Sequence, residues 1–226
     1  MTRVHVICEG QTEEMFVNSL LVNAFSRKGI HLYPSLLGKP GRKGGNLRIA
    51  RLLPDIRTRL LGDNQAYCTT FFDFYGLPDD FPGKQESRKL HTSRDKARCL
   101  LEAFTEDIKT AIGEEPMCRF IPYVQMHEFE GLLFSDAHAF ACGINQASLS
   151  QSFASIRNAF ETPEDINDNP RTAPSKRIEA LFSAYDKPLH GSLAAKAISL
   201  DVIRRECPLF NEWLSHIEVL PKGEEA

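Results

Sequence analysis

The β-branched run over residues 3–8 stops at Glu9-Gly10, and from there Phe16, Val17, Leu20, Leu21, Ala24 and Phe25 recur three and four positions apart. A short extended run giving way to a 3.6-residue period predicts a strand, a tight turn and a helix. Thr12 is placed to cap that helix, and Glu13 and Glu14 fall in its first turn, where the helix dipole favours negative charge. Residues 31–37 predict a second strand. The glycine-rich stretch over 39–45 leads to a helix opened by Asn46 and interrupted or restarted at Pro54. Residues 67–72 have the composition of a buried third strand, which ends abruptly in Asp73-Phe74-Tyr75-Gly76-Leu77-Pro78. After a polar loop to residue 92, Ser93 is expected to cap a helix reaching Ile112, with Ala97, Leu100, Leu101, Phe104 and Ile108 on one apolar stripe. Residues 120–125 predict a fourth strand, and 128–134 the start of another helix.

Strands alternating with helices imply an α/β fold with a mostly parallel four-stranded sheet flanked by helices. Beyond residue 137 the strand signal disappears, and short helical stretches are separated by Pro163, Pro170, Pro174, Pro188 and Pro208. The expected organisation is an α/β domain over 1–140 and a helical C-terminal subdomain over 141–226 packed on it. Phe210, Trp213 and Leu214 are expected in the core.

Composition sets limits on this picture. With 226 residues, 42% of them hydrophobic, the chain can bury one substantial core. Thirty acidic against 27 basic residues give a net charge of −3, so any contact with a polyanion must come from local patches. No apolar run approaches the roughly 18 residues that span a bilayer, and the N-terminus reads straight into a strand, so a cytoplasmic protein without membrane contact is expected. The six cysteines are scattered, with no CxxC pair, and are expected to be small buried hydrophobes in a reducing compartment.

The candidate chemistry lies in the acids. In open α/β sheets the functional crevice lies beyond the C-terminal ends of the strands. Glu9 follows the first predicted strand, Asp73 the third, and Glu128 and Glu130 the fourth. Neighbouring parallel strands would bring these carboxylates together, and crowded carboxylates need a hard cation such as Mg²⁺ or Mn²⁺, shared protons or basic neighbours. A cation held there can activate water and stabilise charge developing on a phosphate. Each acid also has a purely structural reading: Glu9 as a turn residue, Asp73 as an Asx-turn, Glu13 as a partner of the helix dipole. Glu128 and Glu130 stand two apart, so one of them is expected to point inward, with Glu130 favoured. His127 is expected to be a hydrogen-bonded structural residue, because HEFEG is not the HExxH zinc pattern, and Asp136 a capping residue.

Four segments, VHVICEGQTEEMFV at 4–17, TTFFDFYGLPDDFPG at 69–83, IPYVQMHEFEGLLFSD at 121–136 and NPRTAPSKRI at 169–178, together resemble the Toprim superfamily and, more closely, the DUF4276 family. The resemblance implies a Toprim/Rossmann-like fold. It carries the strand-end metal-binding Glu onto Glu9 and the first Asp of a DxD pair onto Asp73. Tyr75 stands where the second Asp belongs, so Glu13 or the Glu128/Glu130 pair would supply the missing charge. The resemblance further implies a Mg²⁺-dependent nuclease of bacterial phage defence, related to overcoming-lysogenization-defect nucleases, with an ABC-type or AAA-type ATPase partner. The alternative is a catalytically silent adaptor that binds such an ATPase or a phage component, a reading supported by Tyr75.

A DNA or RNA substrate needs cations near those acids. Arg42 and Lys43 belong to a basic stretch over 39–59, Lys84, Arg88 and Lys89 to a second one after the Asp73 strand, and Lys176 and Arg177 to the start of a later helix. All seven are expected phosphate contacts. Lys187 is a further cation of the C-terminal half that could reach phosphate.

Overall fold

The computed structural model describes residues 1–38, 47–166 and 169–221. Strands β1 (Thr2–Cys8), β2 (Ile30–Leu36), β3 (Tyr67–Asp73), β4 (Phe120–Ile121) and β5 (Val124–Gln125) pair in parallel, in the order β2-β1-β3-β4 with β5 also on β3. The parallel α/β sheet expected from the sequence is borne out, but its fourth strand is broken in two. Pro122 has no N–H to give to a ladder. Instead the Thr70 hydroxyl accepts from the Tyr123 N–H at 2.9 Å and donates to its carbonyl at 2.8 Å.

Side chains alternate across this sheet, as the strand period requires. Val4, Val6, Cys8 and Phe71 join one apolar cluster, while Ile7, Cys68 and Phe72 join another. Helices α1 (Gln11–Phe16) and α2 (Val22–Ser26), joined by a π-helical turn over Val17–Leu21, cover the first face. Helices α3 (Ile49–Gly62) and α5 (Ser93–Ile112) cover the second, and α4 (Lys84–Ser87) lies between them in the chain. The C-terminal helices α6 (Ala137–Gly143), α7 (Ser150–Arg157), α8 (Pro174–Leu181), α9 (Lys187–Ile198), α10 (Leu200–Glu206) and α11 (Pro208–Glu218) contribute to the same cluster as β1 and α1. Trp213 of α11 is buried as expected: its indole N–H donates to the Thr69 hydroxyl at 2.8 Å, and its ring stacks on Tyr123 at 4.4 Å.

Local expectations are corrected in several places. Gly10, not Thr12, is the N-cap of α1, and the Glu13 carboxylate accepts the Gly10 N–H at 2.8 Å. Thr92, not Ser93, caps α5, accepting from the Asp95 N–H at 3.0 Å. The short hydroxyl that can fold back on the third residue of a helix is the one just outside it, and Ser93 instead donates to the Glu164 carbonyl at 3.1 Å. Helix α3 continues through Pro54, while Asn46 lies outside the described residues. The polar stretch after Asp73 is not all loop, since it contains α4. The cysteines are free thiols; Cys8, Cys68 and Cys207 are buried, whereas Cys118 and Cys142 are exposed and depart from the buried-hydrophobe expectation. Among the described residues no helix is long and apolar enough to cross a membrane.

Candidate active site

β1 and β3 end side by side. Cys8 is in register with Phe71, and the Glu9 N–H donates to the Phe71 carbonyl at 3.1 Å. The chain of β3 then returns the contact, because the Asp73 N–H donates to Glu9 Oε2 at 2.9 Å. This amide fixes the Glu9 carboxylate over the end of β3. The 3-10 turn Phe74–Gly76 closes against it so tightly that a Cβ on Gly76 would sit 2.6 Å from Glu9 Cδ. Only glycine leaves that space to the carboxylate.

The same turn reaches the third segment, where the Tyr75 N–H donates to the His127 carbonyl at 3.0 Å and the two rings lie 5.4 Å apart. Tyr75, at the position of the missing acid, is thus a packing residue against a buried histidine. His127 itself has φ of 63°, a left-handed conformation that non-glycine residues seldom adopt. It turns the backbone out of β5 and sends Glu128 and Glu130 in different directions. Glu128 Oε2 accepts the Ser175 N–H at the start of α8, at 2.9 Å. Glu130 goes inward and is 1% exposed. Four segments far apart in the chain are therefore stitched by main-chain amides at one end of the sheet.

Burial and mutual repulsion shape the charges here. Burial, then the Glu9 charge, pushes the Glu13 carboxyl up to about 7. Burial also pushes Glu130 up to about 7, against the opposing pull of Lys187. Asp73 is held well above the usual carboxylate range, first by burial and then by Glu13, Glu9 and Glu130. Glu9 is raised by burial, with the Asp73 amide opposing. Lys187, the first residue of α9, lies 3.2 Å from Glu130 Oε1. Burial lowers the Lys187 pKa, but Glu130, Glu128 and Asp73 outweigh it and raise it above its ordinary value. Lys187 and Glu130 form an ion pair, and Asp73 Oδ1 and both Glu130 oxygens are buried without a hydrogen-bond partner.

This donor set suits a hard divalent cation in its chemistry, being all carboxylate oxygen and short of positive charge. The spacing is wider than ligation demands, since among the described residues no three His, Cys, Asp or Glu side chains are gathered closely enough to hold a metal ion. Glu9, Glu13, Asp73 and Glu130 could surround one only after their side chains turn toward a common point.

The expected phosphate contacts separate. Lys84 is not a surface cation: it is fully buried, donates to the Phe74 carbonyl and stands 3.3 Å from the centroid of the Phe74 ring. Burial, then Arg88, pushes its pKa down to about 7. It braces the turn that carries Gly76 rather than facing a ligand from the loop. Arg88 and Lys89 are exposed, Arg88 pairing with Asp79 at 2.7 Å. Lys176 is exposed and paired with Glu179 at 2.7 Å, while Arg177 lies over the Phe160 ring and donates to the Thr172 carbonyl. Arg42 and Lys43 lie outside the described residues. A cavity of about 290 Å³ opens between α5 and α11, lined by Leu101, Pro122 and Trp213 among others, and none of the strand-end acids borders it. The sequence pattern had no signal for the pairing of Lys187 with Glu130, and it marked Gly76 as a turn residue without showing whose space it vacates.

Sheet and site together define a parallel α/β protein with buried carboxylates beyond the ends of its central strands. The chain belongs to the DUF4276 family, a domain of unknown function, whose model matches residues 8–218. The family resemblance carried by the four segments is borne out. Among solved structures, the chain is similar to the C-terminal region of the Burkholderia pseudomallei OLD protein, with 18% identity, TM-score 0.48, and 96% of this chain and 98% of that chain covered. It is also similar to the C-terminal region of the Xanthomonas campestris pv. campestris OLD protein, with 15% identity, TM-score 0.46, and 96% and 92% covered. No curated protein sequence matches the chain.

Proposed function

We propose that this chain is a Mg²⁺-dependent nuclease that hydrolyses nucleic-acid phosphodiesters, working in bacterial phage defence beside an ABC-type or AAA-type ATPase. One observation carries the reading: Glu9, Glu13, Asp73 and Glu130 crowd the strand ends closely enough to raise one another's or their neighbours' pKa, and Asp73 Oδ1 and both Glu130 oxygens are buried with no hydrogen-bond donor. Stability alone does not select such a cluster, because each uncompensated carboxylate destabilises the fold. Mg²⁺ or Mn²⁺ held by Glu9, Asp73 and Glu130 would supply Lewis acidity and neutralise charge on the phosphate. Lys187, with its side chain 41% exposed, holds the anionic ester from the solvent side. Glu13, poised at about 7, takes up the proton that the attacking water releases. Arg88, Lys89, Lys176 and Arg177, with Arg42 and Lys43, guide the DNA or RNA strand.

Cleavage of single- and double-stranded DNA and RNA with Mg²⁺ tests this directly. Glu9→Gln and Asp73→Asn are expected to lower the rate by about a hundredfold or more while the circular dichroism spectrum stays that of the wild type. Unchanged rates in both variants would remove the site.

A second reading, a silent adaptor for the ATPase or a phage component, draws on two observations: Tyr75 packs on His127, and no three acids are gathered at ligating distance among the described residues. An adaptor would bind its partner equally well with Glu9→Gln.

A further inference from the structure

Tyr185 lies in the short segment between α8 and α9, two residues before Lys187. Its ring stacks on His190 with centroids 5.7 Å apart, which fixes where the phenol points. The hydroxyl is buried and has no hydrogen-bond partner. Its surroundings are marked by Gly191: a Cβ there would meet Tyr185 Oη at 3.6 Å, Thr12 Cγ2 at 3.5 Å and Phe129 Cε1 at 3.0 Å. Oη therefore lies beside Gly191 together with Thr12, from the helix turn that follows Glu9, and Phe129, the residue flanked by Glu128 and Glu130. Burial, then the charges of Glu130 and Glu128, hold the phenol in its protonated form.

A phenol beside carboxylates would ordinarily donate to one of them, and a buried hydroxyl left without a partner destabilises a protein. Here the donor is withheld from Glu128, which is engaged by the Ser175 amide, and from Glu130, which faces Lys187. A free O–H donor and an ammonium two residues apart match a ligand whose oxygens accept hydrogen bonds and carry charge, as the non-bridging oxygens of a phosphodiester do. We propose that Tyr185 is a substrate-binding residue of this site, its O–H donating to a phosphate oxygen that Lys187 also holds. The assignment rests on the nuclease reading for the identity of the ligand.

The test is fluorescence-anisotropy titration of the full chain and of Tyr185→Phe with labelled DNA and RNA oligonucleotides in Ca²⁺ buffer, together with melting temperatures of both proteins without ligand. Phenylalanine keeps the ring and its stacking. The expected result is a Kd raised about tenfold, with a melting temperature equal to or above that of the wild type, because an unsatisfied group has been removed. Equal affinities, a wild-type chain that binds neither oligonucleotide, or a lowered melting temperature would each overturn the assignment, the last by revealing a structural partner. Cleavage by the wild type in Mg²⁺ is scored separately. A chain that binds through Tyr185 but does not cut refutes the nuclease reading and leaves Tyr185 standing as a nucleic-acid-binding residue.

Discussion

Replacing Glu13 by glutamine removes a buried charge while keeping an oxygen to accept the Gly10 N–H. The carboxyl titrates at 4.5 in the unfolded chain and is pushed up to about 7 in the folded one, so the ionised form is about 3 kcal/mol less favourable inside. The sign follows from proton counts. Between pH 4.5 and 7 the folded state binds more protons than the unfolded state, so wild-type stability falls as pH rises through this window and levels off above it. Glutamine has no such dependence. Glu13→Gln should match the wild type near pH 4 and exceed it by up to about 3 kcal/mol near pH 8. Urea denaturation followed by the fluorescence of Trp213, the single tryptophan and a buried one, reads both values. A variant less stable than the wild type at pH 8, or a difference that is the same at both pH values, would refute the charge-crowding account of this site.

Gly76→Ala places a methyl group in the space of the Glu9 carboxylate, which must then leave the Asp73 amide; a loss of about 1–3 kcal/mol in denaturation is expected, with loss of Mg²⁺-dependent cleavage. Glu164 is buried, and its two oxygens accept the Leu209 and Phe210 N–H groups at the start of α11, at 2.9 Å and 2.8 Å. Glu164→Ala orphans both amides and should lower stability by about 2 kcal/mol, seen as a lower melting temperature with the rate of cleavage per folded molecule unchanged.

Much of the fold was legible because its signals are local. The β-branched run before Glu9 and the apolar stripe of α5 each state their own period, and the alternation of strand and helix implies the parallel order. Departures arise where a single residue decides. Pro122 splits the fourth strand although its neighbours are apolar, and capping falls on Gly10 and Thr92 because the cap depends on where the helix begins to within one residue. Within the site, the acids were readable as residues that follow strands. The partition between Glu128 and Glu130 was not fixed by spacing: it depends on the left-handed backbone of His127 and on the α8 amide that captures Glu128. Lys84 looked like one more cation in a basic run, and nothing local distinguishes it from Arg88 or Lys89. Its burial depends on how α4 folds back over Phe74. Tyr185 and Lys187 approach the acids only through the packing of α9 on the segment from Phe129 to Ser135, a contact between residues more than fifty positions apart.

The central claim is that the crowded acids beyond β1 and β3 hold a divalent cation. Calorimetric titration of the wild-type chain and of Asp73→Asn with Mn²⁺ tests it most directly. The account predicts saturable binding to the wild type that weakens at least about tenfold in the variant. Heats in the wild type no different from dilution, or equal affinities in the two proteins, would contradict it.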